Sequence, residues 1–309
     1  MRDAFLQSLI KLAEDNPKLM LLTGDLGFGV FEKFIEQFPK QYLNMGVAEQ
    51  NMMGVASGLA MEGHTIFTYS IANFATFRCL EQIRNDACYH GLNINMVASG
   101  GGFSYGTHGM SHHATEDLGI LRVLPDITIV APSDAWEAGQ ATSALAQTDG
   151  VGYLRLEKSL APTIPKRENE VFELGKARCL REGKDVAIIA CGSIVADALR
   201  AADMLAEHQI QARVISMHTI KPLDTAEIIF CAKQTQAIVT VEEHMIDGGL
   251  GSAVAEICLE SSLPLKFFHR IGLNNTFSAI VGDQQFLRHK YSMDAEAIMH
   301  KTLQAWHRK

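Results

Sequence analysis

The sequence predicts an α/β protein of two domains, each a mostly parallel sheet flanked by helices. Short apolar, β-branched runs alternate with longer stretches of helical periodicity along the chain, and the texture breaks once, after Glu157. The 309 residues, 47% of them hydrophobic and 20% charged, suffice for two filled interiors.

The opening stretch MRDAFLQSLIKLAEDNPK carries acids and helical spacing, without the charged, apolar and small-residue order of a secretion signal. LMLLTGDL (19–26) reads as the first strand, with HTIFTYS (64–70), NINMVAS (93–99), ITIVAPS (127–133) and VGYLRLE (151–157) after it. Between them, VAEQNMMGVASGLAMEG and ATFRCLEQIRNDACYHG place apolar residues at helical intervals. KSLAPTIPKRENEVFELGKA has two prolines, mixed charges and no period, so the expected division is 1–157, a linker at 158–178, and 179–309. A second alternating set follows in DVAIIAC (185–191), ARVISMH (212–218) and AIVTVEEH (237–244), with SIVADALRAADMLAEHQ as a helix among them.

Composition narrows the function classes. Lys and Arg number 27 against 35 Asp and Glu, a net charge of −8 with no basic cluster, which argues against a nucleic-acid partner. No apolar run reaches membrane-spanning length, so no membrane association is expected. The cysteines at 79, 88, 179, 191, 231 and 258 form no C-x-x-C pair and read as free thiols in a reducing compartment, the cytoplasm by default.

Three stretches stand out chemically. Glu49 opens an otherwise Gly-, Ala- and Met-rich helix; it reads either as a helix N-terminal charge or as a partly buried carboxyl suited to exchanging a proton with a bound heterocycle. Phe74 and Phe77 stand three apart just past the end of a strand, as core or as a platform for a ligand. The loop ASGGGFSYGTHGMSHHATED (98–117) sets His108, His112 and His113 behind a glycine-rich turn, a pattern of binding or catalytic loops; no paired Cys or other ligand completes a metal set, so no metal is expected on this chain. GDLGFGV (24–30) lacks the third glycine of a dinucleotide fingerprint and GGLGSAVAE (248–256) has the wrong spacing, so both read as turns.

Together these stretches resemble the C-terminal half of transketolases, the pyrimidine-binding domain plus the small C-terminal domain. TGDLG is similar to the family's Asp-Leu turn, with Asp25 in the matching place; NMGVAEQNMMGVASGLA resembles the segment that holds the cofactor glutamate, here Glu49. In IANFATF, Phe74 and Phe77 fall on two of the family's spaced aromatics while Ile71 replaces the first; His112 in SHHATEDLGILRVLPDITIVAPSD falls on the family histidine. TVEEHMIDGGLGSAVAE and RIGLNNTF are similar to C-terminal segments of split transketolases and of related oxo-acid dehydrogenase beta subunits. The resemblance implies thiamine diphosphate as cofactor, with Glu49 sharing a proton with its aminopyrimidine, Phe74 and Phe77 stacking on that ring, Asp25 beside it, and His112 acting on a substrate oxygen. It also implies transfer of a two-carbon ketol unit to a sugar-type carbonyl.

The family grips the diphosphate through Mg²⁺ with a Gly-Asp-Gly motif, which this chain does not contain. The resemblance therefore implies a separate N-terminal, diphosphate-binding subunit that holds the Mg²⁺, in an assembly of two copies of each chain with C2 symmetry. Three substrate handles differ from the family: the sugar-recognising aspartate falls on His108, a phosphate-gripping histidine on Gly100 and a phosphate-binding serine on Gly29. That pattern implies unchanged cofactor activation and an altered substrate, with His108, His112 and His113 as the substrate-binding candidates. Other readings are a 2-oxo-acid dehydrogenase beta subunit, a deoxyxylulose-phosphate synthase-like enzyme and a non-catalytic subunit.

Overall fold

A computed structural model describes residues 1–158 and 163–308. The chain forms strands β1 (Leu19–Thr23), β2 (Tyr42–Asn44), β3 (Thr65–Ile71), β4 (Ile94–Ser99), β5 (Ile127–Val130) and β6 (Val151–Leu156). It continues through β7 (Arg178–Arg181), β8 (Val186–Ala190), β9 (Ala212–Ser216), β10 (Thr219–Lys221), β11 (Ala237–Met245) and β12 (Phe267–Leu273). Seven strands make one sheet in the order β10-β5-β6-β4-β3-β1-β2, and five make another in the order β12-β11-β8-β9-β7. Pairing is parallel throughout, save β10 on β5 and β7 on β9. The expected α/β class with two mostly parallel, helix-covered sheets is what the chain builds.

The eight strands read from the sequence are all present, and the four it did not reveal, β2, β7, β10 and β12, are the four sheet edges. The physical reason is burial. Interior strands β1, β4, β6, β8 and β9 are buried at every residue, so they need continuous apolar runs. Edge strands meet solvent on one side and tolerate residues such as Asn44, Arg181, Lys221 and His269, which mask the period.

Helix placement follows the same logic. In the helix Arg2–Asp15, Phe5, Leu9 and Ala13 recur every four residues and form its buried stripe. Phe5 lies edge-on to Phe31 at 6.4 Å and stacked on Tyr69 at 6.3 Å, while Ser8 Oγ donates to Gly139 O at 3.0 Å on the neighbouring helix Ala135–Ala146. Aspartates 134, 224, 283 and 294 each accept a backbone N–H at a helix start, a contact worth about 1 kcal/mol apiece.

The two sheets are fastened together. After β9 the chain leaves the second sheet and lays β10 against β5, pairing Thr219 with Val130; Met217 and Ile220 are buried in one apolar cluster with Met96, Ile129 and Ile189. The linker expected at 158–178 includes 159–162, which lie outside the described residues. Its later part is anchored: the Phe172 ring stacks on His218 at 4.3 Å, and Ala177 N donates to Asp224 at 2.9 Å. Arg155, at the end of β6, is buried and bonds Asp117 at 2.8 and 3.1 Å, Ala114 O at 2.7 Å and Glu243 O at 3.1 Å. Beside it, Arg288 pairs with Glu243, Asp197 and Glu157, and Gln284 bridges Glu157 and Glu243. Burial, with the Glu157 charge opposing the help from Arg288, holds the Glu243 carboxyl above the usual range. Among the described residues, no helix is long and apolar enough to cross a membrane, and the six cysteines are unpaired.

Candidate active site

Loops leaving the carboxyl ends of the parallel strands β1, β3 and β4 meet at one end of the first sheet, where open α/β folds bind ligands. Glu49 begins the helix Glu49–Met61 yet is only 1% exposed, so it is no ordinary solvated helix charge. Ser70 Oγ, near the end of β3, donates to Oε1 at 3.2 Å, and Arg78 donates to Oε2 at 2.5 Å. Gly24 lies against this carboxylate: a Cβ there would stand 3.3 Å from Ser70 Oγ and 3.6 Å from Glu49 Oε1. Asp25, the next residue, adopts a left-handed backbone (φ 57°) and is clamped by Asn44, which donates to Asp25 Oδ1 at 2.9 Å and accepts from Asp25 N at 3.1 Å.

Phe74 sits in the short helix Ala72–Thr76 and Phe77 follows at its end, 36% exposed. The Arg78 guanidinium lies 4.7 Å above the Phe74 ring, and the His112 ring meets Phe74 edge-on at 5.2 Å. The histidine loop is held to this helix by Asn73 Nδ2, which donates to Ser111 O at 2.7 Å. Beneath, Gly102 pairs with Ala114 in a short bridge and Phe103 N donates to Glu243 Oε1 at 2.5 Å. A Cβ at Gly101 would fall 2.6 Å from Arg155 Nε and one at Gly102 2.3 Å from Glu243 Oε1, so the glycines let the loop lie directly on these buried charges.

Of the three histidine candidates, two come together and one does not. His108 and His112 rings are 5.0 Å apart at the open face, with Tyr105 5.4 Å from His108 and Lys158 Nζ 4.6 Å from the Tyr105 ring. Burial and then the His108 charge push the His112 imidazole below its ordinary value. Its Nδ1 engages Ser111 Oγ at 3.0 Å, which leaves Nε2 for another partner. His113 instead turns inward, 3% exposed, edge-on to Phe103 at 5.1 Å, and lies behind the loop rather than on its open side. Sequence reasoning assigned to Glu49 neither Ser70 nor Arg78. The position of Arg78 four residues after Phe74, one helical turn on, was the available signal.

The buried imidazoles carry a pH prediction. Burial depresses both His113 and His218 below 6.5. The unfolded chain then takes up protons at a higher pH than the folded one, so stability is full above the unfolded value and is lost as pH falls through the depressed folded values. The urea midpoint should therefore drop on acidification from about pH 7 to about pH 5, and His218→Gln should show a smaller drop. An identical slope in that variant would remove His218 from the account.

Comparison with known proteins agrees with this arrangement. Residues 1–163 match the family described as transketolase, pyrimidine binding domain, and residues 175–298 match transketolase, C-terminal domain. A putative transketolase C-terminal section from Methanocaldococcus jannaschii is 38% identical over 98% of this chain and 95% of its own length. The 6-deoxy-6-sulfo-D-fructose transketolase subunit SqwH of Clostridium sp. (strain MSTE9) is 37% identical over 100% of this chain and 95% of its own. A solved structure, a split gene transketolase seen as an inactive beta4 tetramer, superposes with a TM-score of 0.90 at 38% identity, covering 98% of this chain and 97% of that one. With both domains matched in order and relatives this similar over nearly the whole length, the chain belongs to the transketolase family, as its pyrimidine-binding and C-terminal portion.

Proposed function

We propose that this chain is the pyrimidine-binding subunit of a split transketolase, active once a separate diphosphate-binding subunit joins it. The observation that carries the reading is Glu49, a buried carboxylate set at the strand ends beside the half-buried ring of Phe74. These residues fit the pyrimidine end of thiamine diphosphate: a carboxyl group to share a proton with a ring nitrogen, and an aromatic face for a flat heterocycle. When bound, that cofactor supplies a nucleophilic carbon to carry the ketol unit. Its diphosphate and Mg²⁺ belong to the partner, a reading supported by relatives named as a subunit and as a split-gene product. Two copies of each chain about a two-fold axis is the assembly that goes with it. So do the division at 158–178, with β10 reaching across it, and a cytoplasmic setting suited to six free thiols.

Within this chain, Glu49 Oε holds and returns the proton, Phe74 and Phe77 flank the ring, and Asp25 shapes the turn beside Gly24. His112, kept neutral near pH 7 by burial and by His108, offers Nε2 to a substrate oxygen. His108 stands where the family places a sugar-binding aspartate, so the acceptor differs from a simple phosphorylated aldose; the relative named for a sulfo-sugar supports such latitude. His113 serves the loop from behind. The test is reconstitution: ketol transfer is expected from the mixture with a Gly-Asp-Gly-bearing partner and not from this chain alone. Full turnover without the partner would overturn the subunit reading, and best turnover on ribose 5-phosphate would overturn the altered acceptor.

A further inference from the structure

Resting on that reading, we infer that Arg78 is a positioning residue that occupies the pyrimidine's place on Glu49 and Phe74 and must leave before the cofactor can seat. A guanidinium is planar, delocalised and rich in N–H donors, so it can stack on a ring and donate to a carboxylate at once. Arg78 does both: it donates to Glu49 Oε2 at 2.5 Å and its guanidinium carbon stands 4.7 Å from the centre of the Phe74 ring. A flat aminopyrimidine, hydrogen-bonded to Glu49 and stacked on Phe74, would make the same two contacts. The two heads compete for one carboxylate and one ring face.

The geometry permits the exchange. Glu49 is 1% exposed whereas the Arg78 side chain is 43% exposed, so the acid is fixed and the cation has solvent to swing into. Ser70 from β3 and the Gly24 backbone turn hold the carboxylate from the other sides. The next titratable neighbour, Cys79, has its thiol pushed up to about 12 by burial and then by the Glu49 charge, so it stays neutral. Among the described residues, Arg78 is the cation paired with Glu49.

Seating the ring replaces that ion pair with a bond in which the carboxyl shares a proton with a ring nitrogen. Removing the cation ends the competition and leaves the carboxyl group and the ring face open to the cofactor.

The experiment is calorimetry of thiamine diphosphate with Mg²⁺ binding to the reconstituted two-subunit complex. Arg78→Met should bind about tenfold more tightly than wild type, while Arg78→Lys, which keeps the charge, should stay within about threefold of it. Unchanged affinity in Arg78→Met, or weaker binding, would overturn the inference alone. If wild type bound no cofactor, or Glu49→Gln kept full turnover, the functional reading itself would fall.

Discussion

Glu49→Gln in the reconstituted enzyme is expected to lower ketol-transfer turnover by about 10²–10⁴-fold, the usual worth of a positioned acid–base group. The substitution preserves volume and leaves an oxygen that still accepts from Ser70 Oγ, so the helix start and strand ends keep their packing. What it removes is the exchangeable proton, which an amide cannot give or take near neutral pH. The loss should appear in kcat with a far smaller change in the melting temperature. Turnover within about threefold of wild type would show that proton exchange at this position does not limit the reaction.

The largest expected stability effect lies behind the site. Arg155→Met should destabilise the fold by about 3–5 kcal/mol, because it strands a buried charge. Asp117 is fully buried and would keep only the Tyr153 hydroxyl, 2.7 Å away, of the side chains that now satisfy it. The carbonyls of Ala114 and Glu243 would lose their donor in the same stroke, and with them goes a tie between the histidine loop and the second sheet. Urea denaturation measures the loss. Adding Asp117→Asn should recover part of it, since the stranded charge disappears; a double variant as unstable as the sum of the two single ones would show that the charges are not coupled.

How much of this was legible in the sequence follows from what burial does to composition. Interior strands such as INMVAS and VAIIA advertise themselves because both faces are covered, whereas β2 and β10 are three residues long and polar at their ends. Glu49, Phe74 and His112 were legible as candidates because a lone acid in an apolar helix and aromatics or histidines at strand ends depart from the local pattern. Partnerships across the chain were not. Nothing local in Arg155 or Glu243 tells that one braces Asp117 and the other accepts from Phe103 N, 140 residues earlier in the chain. Likewise His113 and its neighbour His112 look alike in sequence, and only the folded loop, with Phe103 edge-on to His113, shows which ring turns inward.

The crossing of β10 onto β5 bears on how such chains change over time. A fragment ending before residue 158 would present the unsatisfied amides and carbonyls of β5 and an apolar hollow left by Met217 and Ile220. The second portion therefore completes the first one's architecture as well as following it. Shuffling these halves independently between genes would produce folding defects, so inheritance should keep them as one unit even where the diphosphate-binding portion has become a separate gene.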